Sequence, residues 1–337
     1  MIVQMKHGAT KAQSDKLIEF LKIKGFEIKD VSSENVIIFG IIGDTKHLSA
    51  SDLEAFSGVY QVTRVQVPYK LVSRQFKKED TVIHIKDNIY FGNGDFQVIA
   101  GTCSVETKPI TEAVAQSLVS NGVKILRGGA YKPRTSPYSF QGLGEKGLEI
   151  LHEVKDTHQL VVVSEIVNEK HIPLFERHVD IYQVGARNMQ NFELLKALGT
   201  HTKKPIILKR GSNATIEEWL MSAEYILKFG NPNVILCERG IRTFETYTRN
   251  TLDISSVLAV KELSHLPVIV DPSHASGRYT MIEKLSLASL AVGADGVMVE
   301  IHPNPELALS DGAQSLKLDR FQQMMMALND LKQVLKK

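Results

Sequence analysis

Phe96-Gln97-Val98-Ile99-Ala100 is the first of eight short apolar runs that alternate with stretches of helical length in the second part of the chain. Such runs, each separated from the next by a helix, are typical of a parallel sheet. Eight strands, each followed by a helix, are the number that closes a (β/α)8 barrel, or TIM barrel. The sequence therefore predicts an α/β barrel over residues 96–337. The other seven runs are residues 123–126, 160–163, 180–184, 205–208, 234–236, 267–270 and 296–299.

The first 70 residues have a different pattern, which predicts a small ferredoxin-like α+β domain. The order is strand, helix, strand, strand, helix, strand, with strands at residues 1–6, 26–31, 36–43 and 60–67 and helices at 9–24 and 50–56. Residues 71–95 read as a linker and a β-hairpin, with the hairpin at 81–94. A ferredoxin-like domain often binds small effectors, but such a domain also serves as a packing or dimerisation module. Strand order alone does not decide between these roles.

The composition excludes several classes of protein. The chain has 337 residues, of which 43% are hydrophobic, and a net charge of +2, so it is not a globally basic nucleic-acid binder. Its two cysteines exclude a disulfide framework and suit a reducing compartment. No apolar run approaches the length of a membrane span. We therefore expect a soluble cytoplasmic protein without nucleic-acid or membrane partners.

Charged residues follow most of the eight runs, at the strand ends where barrel enzymes carry their active sites. Guanidinium forks and ammonium groups bind carboxylate and phosphate oxygens, so their convergence at the barrel mouth would indicate polyanionic ligands. The alternative is that some of them form structural ion pairs with Glu165, Glu238 or Asp271. The cationic residues are Arg127, Lys132, Arg134, Arg187, Lys209, Arg210 and Arg239.

A second group of side chains at the strand ends could hold a metal. A thiolate, an imidazole and two carboxylates form a mixed ligand set that suits a borderline divalent ion such as Mn, Fe, Co or Zn. Spacing alone leaves open that the cysteine is an inert buried thiol and the histidine a hydrogen-bonded loop residue. The four candidates are Cys103, His274, Glu300 and Asp311.

Five motifs stand out in the barrel region, at residues 126–136, 183–187, 208–211, 237–240 and 271–274. They closely resemble those of the type I 3-deoxy-D-arabino-heptulosonate 7-phosphate (DAHP) synthases, in particular their Iβ branch. The resemblance covers the whole barrel, and the N-terminal unit resembles the regulatory extension of some members. It implies a metal-dependent, aldol-type transferase that condenses phosphoenolpyruvate with erythrose 4-phosphate in the shikimate pathway of aromatic amino acid biosynthesis. It also implies a homo-oligomer, with a tetramer favoured, and a tyrosine or phenylalanine effector.

The resemblance also implies roles for individual residues. The four metal candidates match the family's ligands for one divalent ion, for example manganese. Catalytic roles fall to Lys132, His274 and Cys103. The match to the phosphoenolpyruvate contacts comprises Arg127, Lys132, Ala186, Arg187, Lys209 and Arg239. The segment that matches the erythrose 4-phosphate site is Lys132, Pro133, Arg134, Thr135 and Ser136.

One departure and three alternatives accompany this interpretation. Thr102 stands where the family usually has proline, and we expect a looser turn before Cys103. A 3-deoxy-D-manno-octulosonate 8-phosphate synthase has a similar barrel, but usually carries an Asn-Arg-Ser-Ser type sequence where this chain has residues 133–136. A Schiff-base aldolase could use Lys209 as its nucleophile. A non-catalytic effector-binding protein would leave the four metal candidates unexplained.

Overall fold

A computed structural model describes residues 1–32, 36–64, 67–134 and 136–335. The chain forms two compact units, Met1–Glu79 and Asp80–Lys337. The division therefore falls later than residue 70, where the sequence pattern placed it. Residues 71–79 belong to the first unit, and the hairpin belongs to the second.

The first unit is a four-stranded antiparallel sheet with two helices. The sheet order is β2-β3-β1-β4, and the elements alternate along the chain as predicted. Thr10 caps the first helix by accepting a hydrogen bond from the backbone N–H of Gln13. Residues 65–66 of the predicted fourth strand lie outside the described residues. The elements are β1 (Ile2–Met5), α1 (Lys11–Ile23), β2 (Glu27–Asp30), β3 (Ile38–Ile42), α2 (Ala50–Glu54) and β4 (Val59–Thr63).

The segment after the last strand of this unit forms part of its packing. Gly40 on β3 has no room for a side chain, because the ring of Phe76 occupies the space that a Cβ would take. Tyr69, Leu71 and Val72 in the same segment are also buried. Residues 69–76 are therefore integral to the first unit and not a free linker.

The second unit is a closed barrel of eight parallel strands, as predicted. The strand order is β10-β11-β12-β13-β14-β7-β8-β9, so the last strand pairs with the first. Each predicted run corresponds to one strand because the β-branched and aliphatic residues are buried on both faces of the sheet. The strands are β7 (Gln97–Ser104), β8 (Ile125–Gly129), β9 (Val161–Ile166), β10 (Ile181–Val184), β11 (Ile206–Lys209), β12 (Val234–Glu238), β13 (Val268–Val270) and β14 (Gly296–Glu300).

Helices surround the barrel, and a hairpin closes its lower end. The hairpin strands are β5 (Ile83–Lys86) and β6 (Ile89–Phe91), and their apolar side chains share one core cluster with Ile125 and Ile181, the first residues of β8 and β10. The polar loops lie at the opposite end of the barrel, after the carboxyl ends of the strands. The helices are α3 (Lys108–Ser120), α4 (Glu145–His158), α5 (Ile172–His178), α6 (Phe192–His201), α7 (Ile216–Lys228), α8 (Ser255–Leu263), α9 (Pro272–Ser276), α10 (Tyr279–Ala291) and α11 (Leu318–Leu335). Among the described residues, no helix combines the length and apolar character needed to cross a bilayer.

Candidate active site and metal centre

Four potential metal ligands meet at the carboxyl ends of the barrel strands. Cys103 lies on β7, Glu300 ends β14, His274 lies in the short helix α9, and Asp311 lies in the loop after β14. One ligand atom from each lies within 4.8 Å of the others. Because β7 and β14 are neighbours and α9 follows the adjacent strand, the barrel's closure itself brings these side chains together.

The imidazole of His274 is oriented by Asp271. Its Nδ1 lies 2.7 Å from Asp271 Oδ2, and its Nε2 lies 3.4 Å from Glu300 Oε1. Burial opposes ionisation of Asp271, but the nearby His274 and Lys209 outweigh it and hold the pKa of Asp271 well below its usual value. Burial lowers the pKa of His274, which favours a neutral ring. With an ionised acceptor at Nδ1, that nitrogen carries the proton, and the Nε2 lone pair is available to a metal.

Glu300 is fully buried and ionised. Burial raises its pKa, but His274, Arg127 and Lys132 outweigh burial and lower it to about 2. Arg127 donates to Glu300 Oε1 at 2.5 Å. Both residues pair in register with Gly101 on the strand between them, and the Gly101 backbone lies so close to Arg127 that a Cβ would collide with its carbonyl oxygen. Glycine at this position therefore lets the guanidinium and the carboxylate meet.

Lys132 folds back onto Cys103. Its Nζ donates to the Cys103 carbonyl oxygen and lies 3.1 Å from the Cys103 Sγ, which in turn lies 3.2 Å from Asp311 Oδ2. Gly129 makes this possible, because a Cβ there would lie 2.7 Å from the Cys103 carbonyl oxygen. Burial raises the pKa of the Cys103 thiol. A bound divalent cation would reverse this effect, since a coordinating thiol loses its proton.

A cavity of about 330 Å³ opens above this cluster. Cationic side chains outnumber carboxylates in its wall, so the cavity suits an anionic ligand. Lys209 is held there by an ion pair with Asp271 at 2.5 Å. Among the described residues, no group accepts a hydrogen bond from the buried Nε of Arg239. The sequence-predicted residues in the wall are Lys132, Pro133, Arg134, Ala186, Arg187, Lys209, Arg239, His274 and Asp311.

Two predicted substrate contacts, Arg127 and Ser136, do not line this cavity. Arg127 is buried behind it, in the ion pair with Glu300. Ser136 is exposed, and its Oγ accepts a hydrogen bond from the Tyr138 backbone N–H. Thr135 lies outside the described residues. The binding roles of these three residues remain predictions.

Arg210, one of the cations at the strand ends, belongs to a structural network instead. Its NH1 donates to Glu238 at 3.0 Å and to Asp253 at 2.8 Å, and the side chain is buried. This is the alternative that the sequence left open for some of the cations. Arg239, which follows the adjacent strand β12, lines the cavity instead, so these two arginines have different surroundings.

The cavity wall also contains polar residues that sequence reasoning missed. Most of them lie in the long loop between β12 and α8. In such a loop hydrophobic residues do not recur at regular intervals, so the sequence does not show which residues face inward. Asp271 was considered only as an ion-pair partner, although its place in the 271–274 motif, three residues before His274, was a signal for a role in orienting the ring. The missed residues of the wall are Ser212, Arg242, Arg249 and Asn250.

Comparison with known proteins assigns the chain to a family. The description "DAHP synthetase I family" matches residues 80–337, and "DAHP synthase ferredoxin-like domain" matches residues 1–67. The chain belongs to the DAHP synthetase I family. This confirms the resemblance that the barrel motifs and the N-terminal strand order indicated.

Individual members of the family and related structures differ in how much of the chain they match. The phospho-2-dehydro-3-deoxyheptonate aldolase of Thermotoga maritima is 50% identical over 331 residues, which are 98% of this chain and 97% of that protein. A crystal structure of DAHP synthase from that organism has a TM-score of 0.78 at 49% identity, covering 99% of this chain and 97% of that chain. A truncated form has a TM-score of 0.74 at 50% identity, covering 79% of this chain and 97% of its own.

The 2-dehydro-3-deoxyphosphooctonate aldolase of Syntrophotalea carbinolica is a more distant relative. It is 31% identical over 256 residues, which are 71% of this chain and 91% of that protein. The heptonate relative is thus both more similar and matched over nearly the full length of this chain, including the N-terminal unit.

Proposed function

We propose that this chain is a DAHP synthase, which condenses phosphoenolpyruvate with erythrose 4-phosphate and water to give DAHP and phosphate. The observation that carries the proposal is the near full-length similarity to the Thermotoga maritima aldolase. The meeting of the family's motifs around one cationic cavity supports it. This reaction is the first step of the shikimate pathway, and we propose the cytoplasm as its compartment because both cysteines are buried and free.

The two competing enzyme classes are less well supported. An octulosonate synthase takes a five-carbon aldose phosphate, and the relatives of that name are more distant. A Schiff-base aldolase needs a lysine amine with a free lone pair, whereas the Lys209 amine forms an ion pair with Asp271. Both observations favour the heptulosonate reaction without a covalent enzyme intermediate.

The residues present fit one divalent metal ion. Cys103, His274, Glu300 and Asp311 would hold it, because two of them are fully or nearly fully buried and His274 directs a neutral nitrogen into the cluster. Thiolate, imidazole and carboxylate together suit manganese, iron, cobalt or zinc. The metal would act as a Lewis acid that polarises the aldehyde or orients the water.

The cations of the cavity divide between the two substrates in the proposed arrangement. Phosphoenolpyruvate would bind Arg187, Lys209 and Arg239 at the base, with Arg127 and Ala186 as further contacts. The unpaired Nε of Arg239 supports this, because a buried donor without a partner is costly unless a ligand accepts its hydrogen bond. The aldose phosphate would bind residues 132–136, where the partly buried Arg134 lines the cavity and lies 3.5 Å from Ser310 Oγ.

The proposed chemistry joins C3 of phosphoenolpyruvate to the aldehyde carbon of the sugar, while water adds to C2. The resulting phosphohemiketal loses phosphate by C–O cleavage. Lys132 is the proposed proton carrier, because its side chain lines the cavity and its Nζ lies 3.1 Å from the Cys103 Sγ. His274, the other residue for which the sequence implies a catalytic role, would act as a metal ligand, because its Nδ1 faces Asp271 and its Nε2 faces the cluster.

We further propose that the N-terminal unit regulates the barrel. The match of residues 1–67 to the family's ferredoxin-like domain supports this role. The proposed effector is tyrosine or phenylalanine, and the proposed assembly is a homotetramer. Control of this kind requires that the effector bind one arrangement of the units more tightly than another.

A steady-state assay with phosphoenolpyruvate and each aldose phosphate tests the proposal. We expect kcat/KM to be much higher with erythrose 4-phosphate than with arabinose 5-phosphate, and turnover to stop after strong chelation and return on addition of a divalent ion. A preference for arabinose 5-phosphate would assign the chain to the octulosonate enzymes. Borohydride trapping of a substrate–lysine adduct would assign it to the Schiff-base aldolases.

A further inference from the structure

Gln314 lies between the metal cluster and the loop before α8. It is 3% exposed and ends the short helical turn Gly312–Gln314 that follows Asp311. Its Nε2 donates to Glu300 Oε2 at 2.7 Å, and its Oε1 accepts from Arg249 NH1 at 2.9 Å. Rotating the amide by 180° would oppose oxygen to carboxylate and NH₂ to guanidinium, so the chemistry of the two partners fixes the amide orientation.

The donors around Glu300 leave its carboxylate little freedom to turn. Arg127 donates to Oε1, and Gln314 donates to Oε2. Each carboxylate oxygen of Glu300 therefore has one hydrogen-bond donor that fixes its position. The same hydrogen bonds fix the direction of the lone pairs that remain free to bind a metal. A buried carboxylate with this support is a preorganised metal ligand, and outer hydrogen bonds of this kind tune metal affinity.

Arg249 connects Gln314 to two other parts of the site. Its NH1 lies 3.5 Å from Asp311 Oδ1, and its backbone N–H donates to the Ser276 carbonyl oxygen at the end of α9. At Gly277 a Cβ would lie 2.7 Å from the Cβ of Arg249, so the two segments are in close contact. Gln314 is thus anchored through Arg249 to the helix that carries His274.

We propose that Gln314 is a positioning residue of the metal centre, which fixes Glu300 and the turn that carries Asp311 and so sets metal affinity. Gln314 does not contact the substrate cavity in this arrangement and acts through the ligands. The inference rests on the metal site of the proposed function. It goes further in assigning a role to a residue outside the four ligands.

Cobalt binding by the full chain, without substrates, tests this inference. Gln314→Met keeps the length of the side chain but removes both hydrogen bonds, and Gln314→Asn keeps the amide but shortens its reach. We expect Gln314→Met to weaken Co²⁺ affinity, measured by competition with a chromophoric chelator, by about 10- to 100-fold, and Gln314→Asn to weaken it less. The exposed Gln322→Met is the matched control and should bind as wild type does.

The absorption of the Co²⁺–thiolate bond provides a second readout. A shifted or weaker band in Gln314→Met, with far-ultraviolet circular dichroism unchanged, would show that the ligand geometry has altered in a folded chain. Wild-type affinity and an unchanged band in both Gln314 variants would overturn the inference and leave the metal site intact. Failure of the wild-type chain to bind Co²⁺ would overturn both the inference and the proposed metal site.

Discussion

At the scale of single residues, the two cysteines differ most clearly in their surroundings. Cys103 lies in the cluster of candidate metal ligands, whereas Cys237 packs in the apolar core of the barrel. We expect Cys103→Ser to lower metal affinity and kcat severely, because a hydroxyl is a poor ligand for these metals. Cys237→Ala is the control and should keep metal affinity. Full turnover by Cys103→Ser after metal stripping would contradict the assignment.

Asp271 tests the orientation of His274. Asp271→Asn keeps the size of the side chain but replaces one acceptor oxygen by an NH₂ group and removes the charge that faces Lys209. We expect metal affinity or kcat to fall about 10- to 100-fold, because the histidine loses the partner that fixes its tautomer. Measurement of both quantities checks this. Unchanged values would mean that His274 is oriented by the packing of α9 alone.

Arg134 tests the division of the cavity between the substrates. We expect Arg134→Ala to raise the KM for erythrose 4-phosphate with a smaller effect on the KM for phosphoenolpyruvate, because one cation leaves the proposed sugar phosphate site. Initial-rate kinetics with each substrate varied in turn provide the measurement. An equal rise in both KM values would indicate that Arg134 contributes only to the general field of the cavity.

At the scale of structural elements, the loop after β14 is held by Glu106, which follows β7. Glu106 Oε1 accepts from the Leu309 backbone N–H at 2.8 Å, and Oε2 lies 3.6 Å from His302 Nε2. The His302 Nδ1 accepts from the Asn304 N–H, so its Nε2 carries the proton and faces the carboxylate. One buried carboxylate thus fastens the loop that carries Asp311 to the first barrel strand.

We expect Glu106→Ala to lower the free energy of unfolding by about 1–3 kcal/mol, because the loop loses the acceptor for the Leu309 backbone N–H. Metal affinity should fall with it. Glu306→Ala in the same loop is the control, since its ion pair with Lys317 is exposed to solvent and contributes little to stability. Urea unfolding and Co²⁺ titration of both variants decide whether the anchoring depends on Glu106.

The same elements show what the sequence could and could not predict. The strands were recognisable because runs such as residues 160–163 are aliphatic throughout, and the ligands and most of the cavity wall followed because barrel sites lie at strand ends. Arg127 and Glu300 meet because both are aligned with Gly101 on the strand between them. No local sequence pattern specifies this alignment of three strands. Arg249 and Asn250 lie in a loop without periodicity. Likewise, Thr102 continues β7, so the expected turn before Cys103 is part of a strand.

At the scale of the whole molecule, we expect catalysis and its inhibition to be separable, because they would belong to different units of the chain. None of the cavity or cluster residues lies before Asp80. We expect a chain that starts at Asp80 to keep substantial DAHP synthase activity and to lose any inhibition by tyrosine or phenylalanine that the full chain shows. The start is placed there because Phe76 packs on Gly40, so an earlier start would leave part of the first unit attached.

Inhibition titrations of both chains, with their masses in solution, check this prediction. Equal inhibition of the shortened chain would place the effector site in the barrel. Absence of inhibition in the full chain would make the N-terminal unit an assembly or packing module. The masses would show whether removing the first unit changes the number of subunits.

The closure of the barrel between β14 and β7 has a consequence for how the chain folds. Cys103 and Asp311 are 208 residues apart in sequence, and Glu300 pairs in register with Gly101 across the seam between the last strand and the first. Contacts of such separation form only after a large loop has closed. A partly folded chain with the last strand still detached would present only scattered ligands. Acquisition of the metal would therefore mark the final step of folding, when the two ends of the barrel join.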